Sequence, residues 1–385
     1  MTGRVAIVGV GATPCRTITP DVSYKEMMFE AAQRAYSDCG LDPRKDVDSF
    51  VTCAEDFWEG TSIFDEYVPD QLGAVLKPTC TIASDGIYGV ATAYMQIAAG
   101  AFEVVAVEAH SKASEVLDKA QIQAFALDPI YNRPIVPHPY LLAGLEMRAF
   151  LKATKNTAEQ CSAVVEKNRG NALHNPWAAR GSHVTRESVD SSEPLFEPLR
   201  QLDVAQHADS SVVLVLASGD RARRISDRPI WIRGVGWYTD DGSLETRDWR
   251  KATYAAMAAE RAFEMAGIND PAASLDFAEI DDAFSYKELQ HMEAAGLCAQ
   301  GESGRLAEEG ATTLGGELPV NPSGGSIGMG NLLEANGLMR IAQSAIQLRG
   351  EAGANQITSA QRCFALSWRG LPTTSGAAVV LERVE

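Results

Sequence analysis

Apolar positions along this chain switch repeatedly between a run of strand length and a helical spacing. Arg4–Gly9 is a short apolar run ended by glycine, which predicts a buried strand. Tyr24–Asp38 carries alanines and aromatics three and four apart, and Gly40 with Pro43 beyond it supplies a helix stop. Asp46–Thr52 reads as the next strand. The second half follows the same course. Pro229–Gly236 predicts a strand, Trp249–Ala266 an alanine-rich helix closed by Gly267, and Leu275–Ile280 a short strand containing an aspartate. The two series are offset by about 225 residues, an order and spacing that an internal duplication explains. The charged, turn-like Gly219–Arg228 marks the division, giving halves 1–222 and 223–385.

Two stretches predict the centre of each half. Ile87–Ala99 is apolar, small and nearly uncharged, so it predicts a fully buried helix, with Gly100 ending it and the strand Val104–Val107 following. Leu333–Leu348 is its mate, so two buried helices are expected back to back between two sheets. From about 114 to 195 the period weakens, with helices near Leu141–Thr154 and Thr157–Arg169 before the strand Val212–Leu216. That stretch reads as an insertion over one face, the kind of excursion that often carries substrate contacts.

Composition narrows the class. The 385 residues are 45% hydrophobic in a mixed sequence, enough for a large core, and no apolar run reaches the roughly 18 residues of a membrane span. A net charge of −17 argues against nucleic acid or an anionic membrane as partner. Seven scattered cysteines without a CxxC predict neither a disulfide framework nor a metal site. With no signal pattern at the start, a cytoplasmic protein is expected. The early Gly9-Val-Gly-Ala12 is not a dinucleotide fingerprint, because the third glycine is absent and Thr13-Pro14 interrupts any helix.

The candidate chemistry centres on Val320–Gly350. A glycine-rich turn (Gly324, Gly325, Gly328, Gly330) runs into a helical pattern, and such a turn can bring backbone N–H groups against an anion or oxyanion. Asn321-Pro322, these glycines, Gly337 and Gln347-Leu-Arg-Gly350 resemble the late motif of thiolases. Glu197-Pro-Leu-Arg200 with Asp203 and Asp209, Ile280-Asp-Asp-Ala-Phe-Ser285, and Gly376–Leu381 extend the likeness over nearly the whole chain. The resemblance is to the branch of sterol-carrier-protein-type thiolases and thiolase-like lipid-transfer proteins. It implies a five-layer αβαβα fold from two duplicated halves and coenzyme A thioesters as substrates, with no covalently bound cofactor. It also implies a homodimer, or a heterodimer with a thiolase homologue, and a possible small zinc-ribbon/OB-fold partner.

The resemblance also implies a nucleophilic cysteine at the start of the first buried helix, two histidines and a late cysteine. Ala83 or Gly86 falls at the nucleophile's place, Asp281 and Asn331 at the histidines' places, and no cysteine stands near Trp368-Arg369-Gly370. Cys363 lies upstream and reads as a buried strand residue. Three readings stay open. In an aldolase-like enzyme without a covalent cysteine, Asn331 donates to an enolate oxygen and Asp281 acts as base, with Asp85, Tyr88, Asp282 or Tyr286 assisting. In a thiolase, Cys80 is the nucleophile, with His110 or His138 as base. In a catalytically silent subunit, the scaffold glycines persist without the chemistry. Gly324, Gly325 and Gly330 are the expected thioester-binding loop, and Asp282 is alternatively a helix cap for Ala283–Ala295.

Overall fold

The computed structural model describes residues 5–59, 64–135, 137–370 and 374–384. Arg4, where the first predicted strand begins, lies outside the described residues. Beside a short two-stranded sheet at Pro194–Phe196 and Leu199–Arg200, the main strands are β1 (Val5–Ala12), β2 (Ser49–Cys53), β3 (Thr79–Ile82), β4 (Val104–Lys112), β5 (Asp209–Ser218), β6 (Ile230–Thr239), β7 (Phe277–Ile280), β8 (Arg362–Arg369) and β9 (Ser375–Arg383). They form one nine-stranded mixed sheet in the order β3-β2-β4-β5-β1-β6-β9-β8-β7. Two separate sheets were expected. Instead β1 and β6 pair antiparallel over Val5–Ile232, Ala6–Trp231 and Ile7–Ile230, which joins the two sets of strands.

The layering follows the pattern of burial. Helices α1 (Tyr24–Cys39), α2 (Gly86–Ala98), α3 (Pro139–Thr154), α4 (Ala158–Ala172), α5 (Thr253–Ala266), α6 (Ser285–Ala294), the one-turn α7 (Gly325–Met329) and α8 (Asn336–Arg349) account for most of the remaining packing. One core joins α2 and α8 to inward residues of both sets of strands, among them Val51, Val107, Leu214, Val379 and Leu381. The outer face of the first set packs on α1 through Met28, Ala31 and Ala35. The outer face of the second packs on α5 through Ala255, Ala258 and Ala262. Helix, sheet, helix pair, sheet and helix therefore follow one another as layers.

Local sequence explains the boundaries. Ser23 caps α1 and Glu26 reaches back to it, a full capping box, while Gly40 ends the helix in the left-handed region. β1 runs three residues past its expected end because Gly9 and Gly11 lie under α1. A Cβ at Gly11 would sit 2.2 Å from the Ala31 carbonyl oxygen. That glycine pair serves helix-on-strand packing, not phosphate binding. The C-terminal buried helix opens with a 3₁₀ turn at Leu333–Ala335 before α8 proper. α5 begins at Thr253, later than the alanine spacing predicted, after a separate turn in which Lys251 N–H donates to the Asp248 carbonyl. Among the described residues no helix is long and apolar enough to cross a membrane.

Candidate functional site

Three chain segments from the second half and three from the 114–195 region and its exit meet around a cavity of about 380 Å³. The turn after β7 brings Asp281, Ala283 and Phe284. The approach to α8 brings Asn331, Leu333 and Asn336, and the end of β8 brings Trp368 and Arg369. Opposite them stand His138 and Tyr140 at the start of α3, Lys119, and the segment Val204–His207. Phe284, Trp368, Tyr140, Leu333 and Leu117 give the wall an apolar part, while Lys119, His207, Asp281, Asn331 and Arg369 are among the many polar groups that make up the rest.

Asn331 is oriented by its neighbours. Its side-chain oxygen accepts from the Leu333 N–H at 3.1 Å and from the Asn336 amide at 2.9 Å. With the oxygen so occupied, the Nδ2 amide remains as a donor on the cavity side. Its backbone is held from both directions, Asn331 N–H donating to the Gln206 carbonyl at 2.8 Å and Ala208 N–H donating to the Asn331 carbonyl at 3.0 Å. That pairing sets His207 beside it. Burial, with the Lys119 charge next, pushes the His207 imidazole down to about 4, so the ring is neutral near pH 7. Its Nδ1 is buried with no hydrogen-bond partner among the described residues. Sequence reading passed over His207. Its one signal was its place inside the Asp203–Asp209 passage.

Asp281 also lines the cavity, but both its oxygens are engaged. Oδ1 accepts from Ala283 N–H at 2.9 Å and Oδ2 pairs with Arg340 Nη1 at 3.0 Å. Asp282 points the other way. It accepts from Ser326 N–H at 2.5 Å, Ile327 N–H at 3.1 Å and the Asn168 amide at 2.8 Å, so it caps α7. The expected cap on Ala283–Ala295 is therefore corrected. α6 starts at Ser285, and its N-cap Phe284 makes no side-chain cap bond.

The expected thioester loop has its space filled by the chain itself. A Cβ on Gly324 would lie 2.7 Å from Ala172 Cβ, on Gly325 2.2 Å from Asp282 Oδ2, and on Gly330 2.5 Å from Ala208 Cβ. None of the three lines the cavity. Asp85 is fully buried, with Oδ1 accepting from Ile87 N–H at 2.9 Å and Oδ2 from Gly337 N–H at 2.8 Å. It ties the start of α2 to the start of α8, and burial raises its carboxyl above the ordinary range.

Cys80 stands on β3, the sheet's edge strand, half-buried, with the Gln96 amide 3.8 Å from its sulfur. Burial raises its thiol, and it does not line the cavity. His110 is buried beside Glu108, stacked near Tyr24 and Phe64. His138 does reach the cavity, its Nδ1 accepting from Tyr140 N–H at 3.1 Å. Tyr286 donates to Glu146 at 2.7 Å and Tyr88 to the Gly376 carbonyl at 3.2 Å, neither of them in the cavity wall. Cys363 is fully buried on β8.

Residues 238–383 match the family model described as thiolase C-terminal domain-like. An acetyl-CoA acetyltransferase of Methanothermobacter thermautotrophicus is 30% identical over 93% of this chain and 94% of its own length. A 17-hydroxy-3-oxo-4-pregnene-20-carboxyl-CoA lyase of Mycobacterium tuberculosis is 26% identical over 97% of this chain and 98% of its own. Among solved structures, an Ltp2-ChsH2(DUF35) aldolase superposes with a TM-score of 0.85 at 24% identity, covering 99% of this chain and 98% of that one. The chain belongs to the thiolase superfamily.

Proposed function

We propose that this chain breaks or forms a carbon–carbon bond beside an acyl-CoA thioester by an aldol-type step without a covalent cysteine. One observation carries the reading. The cavity joins the outward amide of Asn331 to the neutral His207, whereas Cys80 sits on the sheet edge. In the cleavage direction His207 takes the proton of a β-hydroxyl, and the oxygen becomes a carbonyl as the Cα–Cβ bond breaks. The electron pair moves into the thioester, whose oxygen becomes an enolate held by the Asn331 amide. The imidazolium then returns the proton to Cα. Asp281, with both oxygens engaged, holds the cavity edge in this scheme and is not the base. The named activity of the mycobacterial lyase supports a bond-breaking reading over acyl transfer.

Assembly belongs to the same proposal. β3 is an edge strand, which suits pairing with a second copy or with a thiolase homologue. The two-component name of the aldolase neighbour supports a small additional partner, of zinc-ribbon/OB-fold type. A cytoplasmic setting fits acyl-CoA chemistry.

The test is turnover of β-hydroxy and β-keto acyl-CoA thioesters, with and without the co-purified partner. Asn331→Ala is expected to lower kcat by about 10²–10³-fold, His207→Ala by about 10²–10⁴-fold, and Cys80→Ser to leave it unchanged. Loss with Cys80→Ser would instead establish a covalent thiolase. Absence of turnover under every condition would mark a catalytically silent subunit.

A further inference from the structure

Behind the Asp281–Phe284 turn lies a set of buried polar groups that the scheme above leaves without a task. Lys287, His291 and Glu146 are 0% exposed and Tyr254 1%. Lys287 Nζ pairs with Glu146 Oε2 at 2.7 Å and donates to Gln290 Oε1 at 2.9 Å and to the Tyr254 hydroxyl oxygen at 3.1 Å. The Tyr254 oxygen is 2.8 Å from His291 Nε2, and His291 Nδ1 is 2.8 Å from the Asp281 carbonyl oxygen.

The proton positions follow from the partners. A carbonyl oxygen only accepts, so Nδ1 carries a proton. Burial holds the His291 imidazole well below its ordinary range, and the nearby Lys287 and Arg340 charges act in the same direction, so the ring is neutral. Nε2 is then a lone pair that takes the Tyr254 O–H. The Tyr254 oxygen in turn accepts from Lys287. Every donor points the same way: ammonium to phenol to imidazole to peptide carbonyl.

The receiving carbonyl belongs to the cavity edge. Two residues on, the Ala283 carbonyl accepts from Ala205 N–H at 3.0 Å, and Phe284 bridges to Val204. Segment 204–208 carries His207 and brackets Asn331 through its Gln206 and Ala208 backbone bonds. The same Lys287 ammonium lies 4.2 Å from the ring centroid of Trp368, a second part of the cavity wall.

We propose that Lys287, Tyr254 and His291 are positioning residues: a one-way donor chain that fixes His291 as its Nδ1–H form and, through the Asp281 carbonyl, sets the 281–284 turn against the segment bearing His207. The role rests on the cavity being the reaction site. None of the three touches it directly.

The test is the nitrogen spectrum of the full-length protein labelled at histidine, read together with kinetics. His291 is expected to give one Nδ1–H signal, unchanged from about pH 5 to about pH 8, the range across which ordinary imidazoles titrate. Tyr254→Phe, which takes the donor away from Nε2 while the Asp281 carbonyl still holds Nδ1–H, is expected to shift the Nε2 signal and lower kcat about 10- to 100-fold with KM nearly unchanged, the effect of a small misplacement. His291→Asn, which keeps an N–H for the Asp281 carbonyl, is expected to retain more activity than His291→Leu. An Nε2–H signal, a signal that titrates in that range, or a Tyr254→Phe enzyme with wild-type kcat and KM would overturn the chain. The wild-type spectrum decides the tautomer even where a variant does not fold. An Nδ1–H signal without turnover of any thioester would overturn the proposed function and leave the donor chain standing.

Discussion

Asn331 owes its chemistry to what its oxygen is already doing. Two donors hold the carbonyl end, so only the amide end is left for a ligand. A similar contrast separates the paired aspartates. Asp281 faces the cavity, while Asp282 turns inward to cap α7, although the two are adjacent in the chain and share Arg340. The residue that makes this possible is Gly325. Its φ of 56° lies in the left-handed region, and its missing Cβ leaves room for the Asp282 carboxylate. Gly325→Ala is therefore expected to destabilise the protein by about 2–4 kcal/mol through strain and displacement of that carboxylate. Thermal melting checks it. A variant with unchanged melting that fails to bind acyl-CoA would return Gly325 to the ligand-binding role read from the sequence.

At the scale of elements, α2 and α8 meet so closely that each lacks a side chain where the other touches it. A Cβ on Gly86 would lie 2.5 Å from Leu338 Cβ, and one on Gly337 1.9 Å from Asp85 Oδ1. Asp85 joins them by accepting an N–H from each helix start. Asparagine offers one acceptor and one donor in the same place, so one of the two N–H groups would face a donor. Asp85→Asn is expected to cost about 1–3 kcal/mol, seen as a lower denaturation midpoint, with substrate KM unaltered in the enzyme that remains folded. Loss of turnover at an unchanged midpoint would instead make Asp85 part of the chemistry.

At the scale of the whole molecule, stability depends on pH through a buried acidic cluster. Glu279, Asp281, Asp282 and Glu288 are each at most 1% exposed, with Arg340 and Lys167 as the cations against them. Burial pushes Glu279 up to about 7, against the two Ser323 donors, and Asp282 up to about 6, against Arg340. A carboxyl with a folded value above its unfolded one binds more protons in the folded state. Its contribution is full below the unfolded value and is lost as pH rises through the folded value. Glu279→Gln mimics the neutral form. The variant is expected to match wild type near pH 4 and to be the more stable by about 1–3 kcal/mol near pH 8. Urea midpoints across that range check the sign. A gap that closes as pH rises would contradict it.

Much of the architecture was legible in the chain, for physical reasons that are local. Strand runs, helical spacing and glycine stops placed β1, α1, β6, α5, β7 and the two central helices, because period and capping depend on neighbouring residues. The glycine motif and its companions pointed to the superfamily in the same way. Other features depend on residues far apart. β3 is a four-residue edge strand with no alternation to betray it, and the β1–β6 pairing that merges two expected sheets joins segments more than 220 residues apart in the chain. The site was legible only in part. Asn331 and Asp281 were visible because they stand at motif positions. Cys80, Asp85 and the glycines fit the same motif logic, but packing set them at an edge, at a helix junction and against the protein's own side chains. His207 acquires its neutral ring from burial beside Asn331, and His291 its tautomer from Tyr254 and the Asp281 carbonyl. By itself the sequence determined the order of elements and the family, since both are written in local pattern. Only the tertiary structure decided which polar groups face the cavity, because hydrogen-bond partners and desolvation are set by residues brought together from distant parts of the chain.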